Sequence, residues 1–315
     1  MGTSSVQPLV TVVTPSLNQG EFIEKTIKSI KYQTYTEIEH IIVDGGSIDG
    51  TIDLLKQHES TYNLRWISEP DQGMYDAINK GLRLASGEIY AYLNCDDYYL
   101  PWTVATAVRH LQGCQLIFGD AIRYDLCGDD TGLLFSPPFI FGYYSSGGAI
   151  VQPTVFFRRE VFDRIGEFDG EAFPLIADCD YWLSCAAAGF RPEKVAEFLV
   201  VETEHPLAQR FRCKNQLRDE MIKLGQKYMG RRKMSDWIIN PIVKYFYWRL
   251  ALISYKVGIG SRWQNLKSSD VVTLGLKDCM LELLPKRLRY LSGQRMRFNC
   301  NSLWFRGLSD DGFNS

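Results

Sequence analysis

Residues 39–51 of this 315-residue chain read Glu39-His-Ile-Ile-Val-Asp-Gly-Gly-Ser-Ile-Asp-Gly-Thr51. The apolar run at its start reads as a strand, and Asp44 stands at that strand's end. Asp49 is placed to cap the following helix, Thr51–His58, because a short acceptor side chain satisfies free first-turn amides. The same rhythm extends in both directions. Leu9–Thr14 reads as a buried strand, and Glu21–Tyr32 as a helix with Phe22, Ile23, Ile27 and Ile30 on one face. Leu64–Ile67, Met74–Ala85 and Glu88–Leu93 continue as strand, helix and strand. Pro101–Gln112 and Cys114–Phe118 repeat the pair once more. Strands alternating with helices at this spacing predict an α/β fold whose mostly parallel sheet is flanked by helices.

Beyond Gly119 the rhythm loosens. Phe141–Gly148 (FGYYSSGG) reads as a loop, Pro174–Ala188 as a turn entering a helix, and Val195–Val201 as a strand. Past Pro206 the pattern becomes helical and basic, with Leu207–Tyr228 and Asp236–Lys256 as the strongest helices. The formal net charge is only −2, from 35 basic and 37 acidic side chains. That balance conceals a split: residues 1–207 carry 14 basic against 29 acidic side chains, and residues 208–315 carry 21 against 8. Such asymmetry predicts two regions with different partners.

At 45 % hydrophobic and 23 % charged, the composition is that of an ordinary globular protein. Met1-Gly-Thr-Ser-Ser has no basic segment before an apolar stretch. The expectation is a cytoplasmic protein without a secretory signal or spanning helix. None of the eight cysteines forms a C-x-x-C pair, which predicts reduced thiols, and four scattered histidines form no zinc pattern.

In an open parallel sheet, ligands bind at the carboxyl ends of the strands. Asp44 ends one strand, Asp71 follows another in Ser68-Glu-Pro-Asp-Gln-Gly73, and Asp96-Asp97 end Ile89-Tyr-Ala-Tyr-Leu-Asn-Cys-Asp-Asp97. Each of these carboxylates alone also suits a turn or a cap. Adjacent carboxylates repel, and a hard divalent cation relieves the repulsion while leaving positions for phosphate oxygens. Neither the dinucleotide loop G-x-G-x-x-G nor the phosphate loop G-x-x-x-x-G-K-[ST] is present. Phosphates would therefore be neutralised by a metal and by basic residues such as Lys80.

Together, Val12-Val-Thr-Pro-Ser-Leu-Asn18, Ile41–Thr51, Ser68–Gly81, Ser86-Gly87 and Leu93–Asp97 resemble the family 2 glycosyltransferases in order and spacing. The resemblance spans about residues 8–205 and implies the A-type glycosyltransferase fold. A nucleotide-sugar half over about 8–118 would join an acceptor half over about 119–207, with 208–315 a helical basic extension. It implies an inverting, metal-dependent transfer from a nucleoside-diphosphate sugar to a hydroxyl of a glycan or lipid-linked acceptor. Pro15, Asp44, Asp71, Lys80 and Asp96 would form the donor site, with Asp44 accepting from a uracil or thymine imide and Asp96 facing the ribose. Asp97, with His205 as a second candidate, would hold the Mn²⁺ or Mg²⁺ that bridges the diphosphate.

Val151-Gln-Pro-Thr-Val-Phe-Phe-Arg-Arg159 resembles the acceptor-side segment, and Ile176-Ala-Asp-Cys-Asp-Tyr-Trp-Leu183 the segment carrying the base. Asp178 matches the base position. Asp180 lies about 200° away around a helix, so one catalytic and one structural carboxylate are expected. Gln152 and Trp182 are the acceptor-side candidates, and Tyr143, Tyr144 and Tyr181 are further aromatics for stacking on sugars. The chain departs from the family pattern at Ser184 and at Thr203-Glu204-His205, where members often carry arginine. A nucleotide-sugar-binding scaffold without catalysis is the alternative. Asp236–Ile259 has the charges of an interfacial helix rather than a spanning one, so an anionic membrane surface is a further expected partner. Packing of the extension on the catalytic domain is the competing expectation. No nucleic-acid module accompanies the basic residues.

Overall fold

The computed structural model describes residues 7–125, 131–145, 148–206, 208 and 212–229. Four strands pair in parallel in the order β3-β2-β1-β4: β1 (Val10–Ser16), β2 (Ile38–Asp44), β3 (Leu64–Ser68) and β4 (Ile89–Tyr92). The crossovers are α1 (Ile23–Lys31), α2 (Thr51–His58) and α3 (Met74–Leu84). Every residue of β1 and β2 is buried, as expected for strands covered on both faces. Helix α1 turns Ile23, Ile27 and Ile30 inward, and α3 turns Tyr75, Ile78 and Leu82. Where α3 crosses β1 it presents Gly81, and a Cβ there would overlap the Val13 side chain.

The sheet continues through β4-β8-β6-β9-β5. Its remaining strands are β5 (Tyr98–Tyr99), β6 (Leu116–Asp125), β8 (Phe156–Arg158) and β9 (Glu193–Glu204), with β7 (Thr131–Leu134) paired to β6. β8 is antiparallel to both β4 and β6, and it joins the two halves into one nine-stranded sheet. The helices here are α4 (Thr103–His110), α5 (Phe141–Ser145), α6 (Arg159–Ile165), α7 (Ala177–Ala187) and α8 (Lys214–Met229).

The mixed α/β fold agrees with expectation, and α2 has the expected limits. Two corrections follow. Phe141–Gly148 is not simply a loop: it opens with the short α5, because Tyr143 and Tyr144 bury their rings in the core. β6 runs on through Gly119, whose missing side chain lets Leu199 of β9 approach. Of the basic region, α8 packs on α5 and places Leu224 in the core beside Trp182. The Asp236–Lys256 helix lies outside the described residues. Among those that are described, no helix is long and apolar enough to cross a membrane, and Cys95, Cys114, Cys179, Cys185 and Cys213 are free thiols.

Glu39 fastens this sheet to the turn before β4. Buried on β2, it accepts from the Thr11 hydroxyl (2.6 Å), the Ser86 amide (2.9 Å) and hydroxyl (2.7 Å), and Arg65 (2.7 Å). Burial alone would raise its carboxyl, but these donors bring it below its ordinary value of 4.5. A depressed pKa contributes stability that is present above the unfolded-state value and lost as pH falls. Glu39→Gln is therefore expected to lower unfolding stability by about 1–3 kcal/mol at pH 7. In urea titrations the deficit should narrow below about pH 4.5.

Candidate active site

Parallel pairing brings Ser16, Asp44 and Ser68 side by side at the carboxyl edge of the sheet. Asp44 is 0 % exposed. One oxygen accepts from the Gly46 amide (3.0 Å), the Ser47 amide (2.8 Å) and the Ser68 hydroxyl (2.8 Å), and the other accepts from the Ser47 hydroxyl. The expectation that it presents an open acceptor to a nucleobase is corrected: its own turn occupies it. The carboxylate that remains open here is Asp71, which is partly exposed. Asp71 Oδ2 lies where a Cβ on Gly45 would come within 2.6 Å of it, so the two turns can touch only through glycine. Asp49 does serve α2, accepting from the Thr51 amide (3.1 Å) one residue ahead of the cap position, Gly50.

Pro15 is buried in β1 opposite Val43, and its carbonyl accepts from the Cys95 thiol (3.0 Å). Lys80 was expected to meet phosphate. It instead reaches Glu69 (3.1 Å), Asp76 (3.3 Å) and the Pro70 carbonyl (2.9 Å), so it braces the Asp71 turn. The nearest carboxylates capture it, which corrects the reading of an open cation.

The turn after β4 enters β5, which pairs antiparallel with β9 through Tyr98–Val201 and Tyr99–Val200. This pairing delivers His205, just past β9, to Asp96. His205 Nε2 lies 3.0 Å from Asp96 Oδ2. His205 is buried, its ring lies tilted against Phe22 with centroids 4.7 Å apart, and its Nδ1 has no partner among the described residues. Asp97 is 4 % exposed and accepts from the Thr203 amide (2.9 Å). A cavity of about 100 Å³ beside Asp96 is lined by Glu21, Phe22, Lys25, Tyr124 and Thr203. No three His, Cys, Asp or Glu side chains among the described residues form a metal cage. The Asp96–His205 pair, with its unpartnered ring nitrogen, suits a divalent ion completed by diphosphate oxygens.

On the acceptor side, α7 separates its two acids as the helical period requires. Asp180 is buried and takes both oxygens to Lys227 (2.7 and 2.9 Å) and one to Tyr228 (3.0 Å) of α8. Asp178 is half-buried and faces α3, where Tyr75 donates to its Oδ1 (2.9 Å). Burial raises the Asp178 carboxyl above its ordinary value, against the opposing Tyr75 bond. Gln152 donates to the Tyr92 carbonyl (3.1 Å), close to the end of β4. Trp182 is corrected: it is 2 % exposed and packs edge-on against Phe157 and Phe168, so it is core. Tyr143, Tyr144 and Tyr181 are buried in the same cluster. Tyr75, inside the Ser68–Gly81 motif, had no separate signal, because a buried aromatic on a helix face looks like packing.

α8 grips the segment that leads into α7. Glu220 accepts from the Leu175 amide (2.9 Å), Lys223 donates to the Ala172 carbonyl (2.7 Å), and Ser184 meets the Tyr228 hydroxyl (2.7 Å). Ser184 is thus engaged by α8.

The carboxylates at the edge of this α/β sheet, and the half-buried Asp178 held by α3, are the groups to set beside known proteins. Residues 11–166 match the family described as Glycosyl transferase family 2. An uncharacterised glycosyltransferase of Mycobacterium tuberculosis is 32% identical over 194 residues, covering 57% of this chain and 69% of that protein. Two solved structures share the fold. One is a mannosyltransferase of Pyrobaculum calidifontis in complex with GDP-Man and Mn²⁺, at TM-score 0.56 and 19% identity, covering 91% of this chain and 84% of that one. The other is S. aureus TarS in complex with UDP-GlcNAc, at TM-score 0.52 and 15% identity, covering 77% and 81%. The chain belongs to glycosyltransferase family 2 and is a glycosyltransferase with the A-type fold.

Removing Lys227 leaves the buried Asp180 without its cation, and an uncompensated buried charge is costly. Lys227→Met is expected to lower unfolding stability by about 1–3 kcal/mol, since the lysine is partly solvated and Tyr228 remains. Chemical denaturation of the full chain measures this, and Asp180→Asn in the same background should recover part of the loss.

Proposed function

We propose that the protein transfers a sugar, with inversion, from a nucleoside-diphosphate sugar to a hydroxyl of a glycan or lipid-linked acceptor, using Asp178 as base. The observation that carries this reading is the half-buried Asp178, facing α3 with no cation at ion-pair distance among the described residues, while Asp180 is spent on Lys227. A sugar hydroxyl is a weak nucleophile at neutral pH. As its oxygen bonds to the anomeric carbon, its proton passes to Asp178 and the bond to the diphosphate oxygen breaks. A carboxyl raised by burial is the stronger base.

On the donor side, Asp71 and the Gly45 turn take the nucleoside, with Asp44 shaping that turn and Pro15 its floor. Asp96, Asp97 and His205 would hold a divalent ion, Mn²⁺ or Mg²⁺. When bound, that ion neutralises charge growing on the leaving diphosphate. The neighbours that bind UDP-GlcNAc, or GDP-Man with Mn²⁺, support the donor class and the metal. Gln152 serves the acceptor side. The basic residues beyond 208 would meet an anionic membrane surface, at the inner face of a cytoplasmic membrane.

A thermal-shift screen of UDP- and GDP-sugars with Mn²⁺ should find a donor that raises the melting temperature by mass action. With that donor, Asp178→Asn is expected to lower transfer by about 10²–10⁴-fold while the protein remains folded. Full activity in that variant would sink the assignment. Nucleoside diphosphate release should disappear on chelation, and release that persists would remove the metal from the scheme. Donor binding without any release would mean a scaffold. Salt-sensitive binding to phosphatidylglycerol vesicles, absent from neutral phosphatidylcholine, is expected for the membrane partner.

A further inference from the structure

Asp178 receives its hydrogen bond from a residue of the donor-side motif. The Tyr75 hydroxyl lies 2.9 Å from Asp178 Oδ1 and 3.3 Å from the Leu175 carbonyl. It has one proton to give, and the closer, charged acceptor is the stronger partner. Tyr92 of β4 is buried in the same cluster as Tyr75. Burial holds both tyrosines far above their ordinary value, so they are neutral donors throughout the working range.

The placement of Tyr75 is enforced from both sides. Gly170 packs directly on it, since a Cβ there would come within 2.9 Å of the Tyr75 Cβ. Its ring lies 5.9 Å from that of Phe168, at 18°. One turn further along α3, Asn79 donates to the Phe168 carbonyl and accepts from its amide, both at 2.9 Å. Helix α3 is thus bolted to the segment that leads into α7. Its other end begins just after Asp71, whose Oδ1 accepts from the Gly73 amide ahead of the helix (2.9 Å).

We propose that Tyr75 is the positioning residue for the base: its hydroxyl fixes the orientation of the Asp178 carboxylate and couples it, through α3, to the donor-side Asp71 turn. This rests on the reading of Asp178 as the base. The titratable groups facing Asp178 are Tyr75 from α3, Tyr92 from β4 and the thiol of Cys179 beside it. From α8, Lys227 goes to Asp180. Tyr75 is therefore the side chain from another element that stabilises the anion. Without it, burial is opposed only from within α7, by Asp178 and Cys179 themselves, and the carboxylate loses its anchor to α3.

The test is a carbon-13 NMR pH titration of the full chain labelled at the aspartate carboxyls, with the Asp178 resonance identified by its loss in Asp178→Asn. Tyr75→Phe is expected to raise the Asp178 midpoint by about one pH unit. The acid limb of nucleoside diphosphate release should move up with it, assayed with UDP-GlcNAc and with GDP-mannose, both with Mn²⁺. A packing role alone would lower the melting temperature and leave the midpoint in place, and that result overturns the proposal. If Tyr75→Phe does not fold, 3-fluorotyrosine placed at position 75, a more acidic donor in the same place, must lower the midpoint, and no shift there overturns the proposal equally. Full transfer by Asp178→Asn would instead overturn the base assignment, leaving a shifted midpoint in Tyr75→Phe intact as evidence of the contact.

Discussion

A carboxylate taken out of water must find donors, and this fold is organised by how each acid solves that problem. Glu39 takes donors from β1, β3 and the turn before β4, and so ties three segments to one strand. Asp44 closes its own turn, and Asp120 pairs with Lys194 at 2.7 Å in the interior. Asp180 and Glu220 join α7 and its approach to α8. These acids are saturated, and saturation marks a structural role. Asp71, Asp96 and Asp178 are satisfied more sparingly, and these are the three to which the proposed function gives roles toward substrate. The degree of satisfaction separates the two classes better than proximity to the sheet edge does, since Asp44 sits in the middle of that edge.

The second organiser is a short strand pair. β5 has two residues, yet its pairing with β9 carries His205 across 109 positions of sequence to Asp96. The same approach lets the Thr203 amide take one oxygen of Asp97. The acidic turn after β4 is therefore shaped by a strand more than 90 residues further along the chain, and a change in β9 reaches that turn directly.

Much of the donor half was legible because its signals are local. Periodicity and turn residues place α2 to the residue, and the helical period alone separates Asp178 from Asp180. Motif order was enough to name the family. What remained hidden depended on contacts between distant segments. Asp44 looks like an open acid until Ser47 and Ser68 are seen to fill it. Lys80 looks like a phosphate contact until Glu69 and Asp76 fold onto it. Trp182 looks like a sugar platform until Phe157 and Phe168 close over it. In each case the residue type was read correctly, and its neighbours decided the role.

The charge split is the last feature that changes meaning in three dimensions. A basic region after an acidic one invites an external polyanion as its partner. Yet two of the described cations of that region are spent on the acidic half of the same chain. Lys227 closes on Asp180, and Lys223 reaches the Ala172 carbonyl and lies 4.8 Å from the Phe173 ring. The near-neutral total is thus partly an internal complementarity, in which Lys227 of α8 neutralises Asp180 of α7. That pairing leaves Asp178 as the acid of α7 without a cation among the described residues, which is the state a proton acceptor needs.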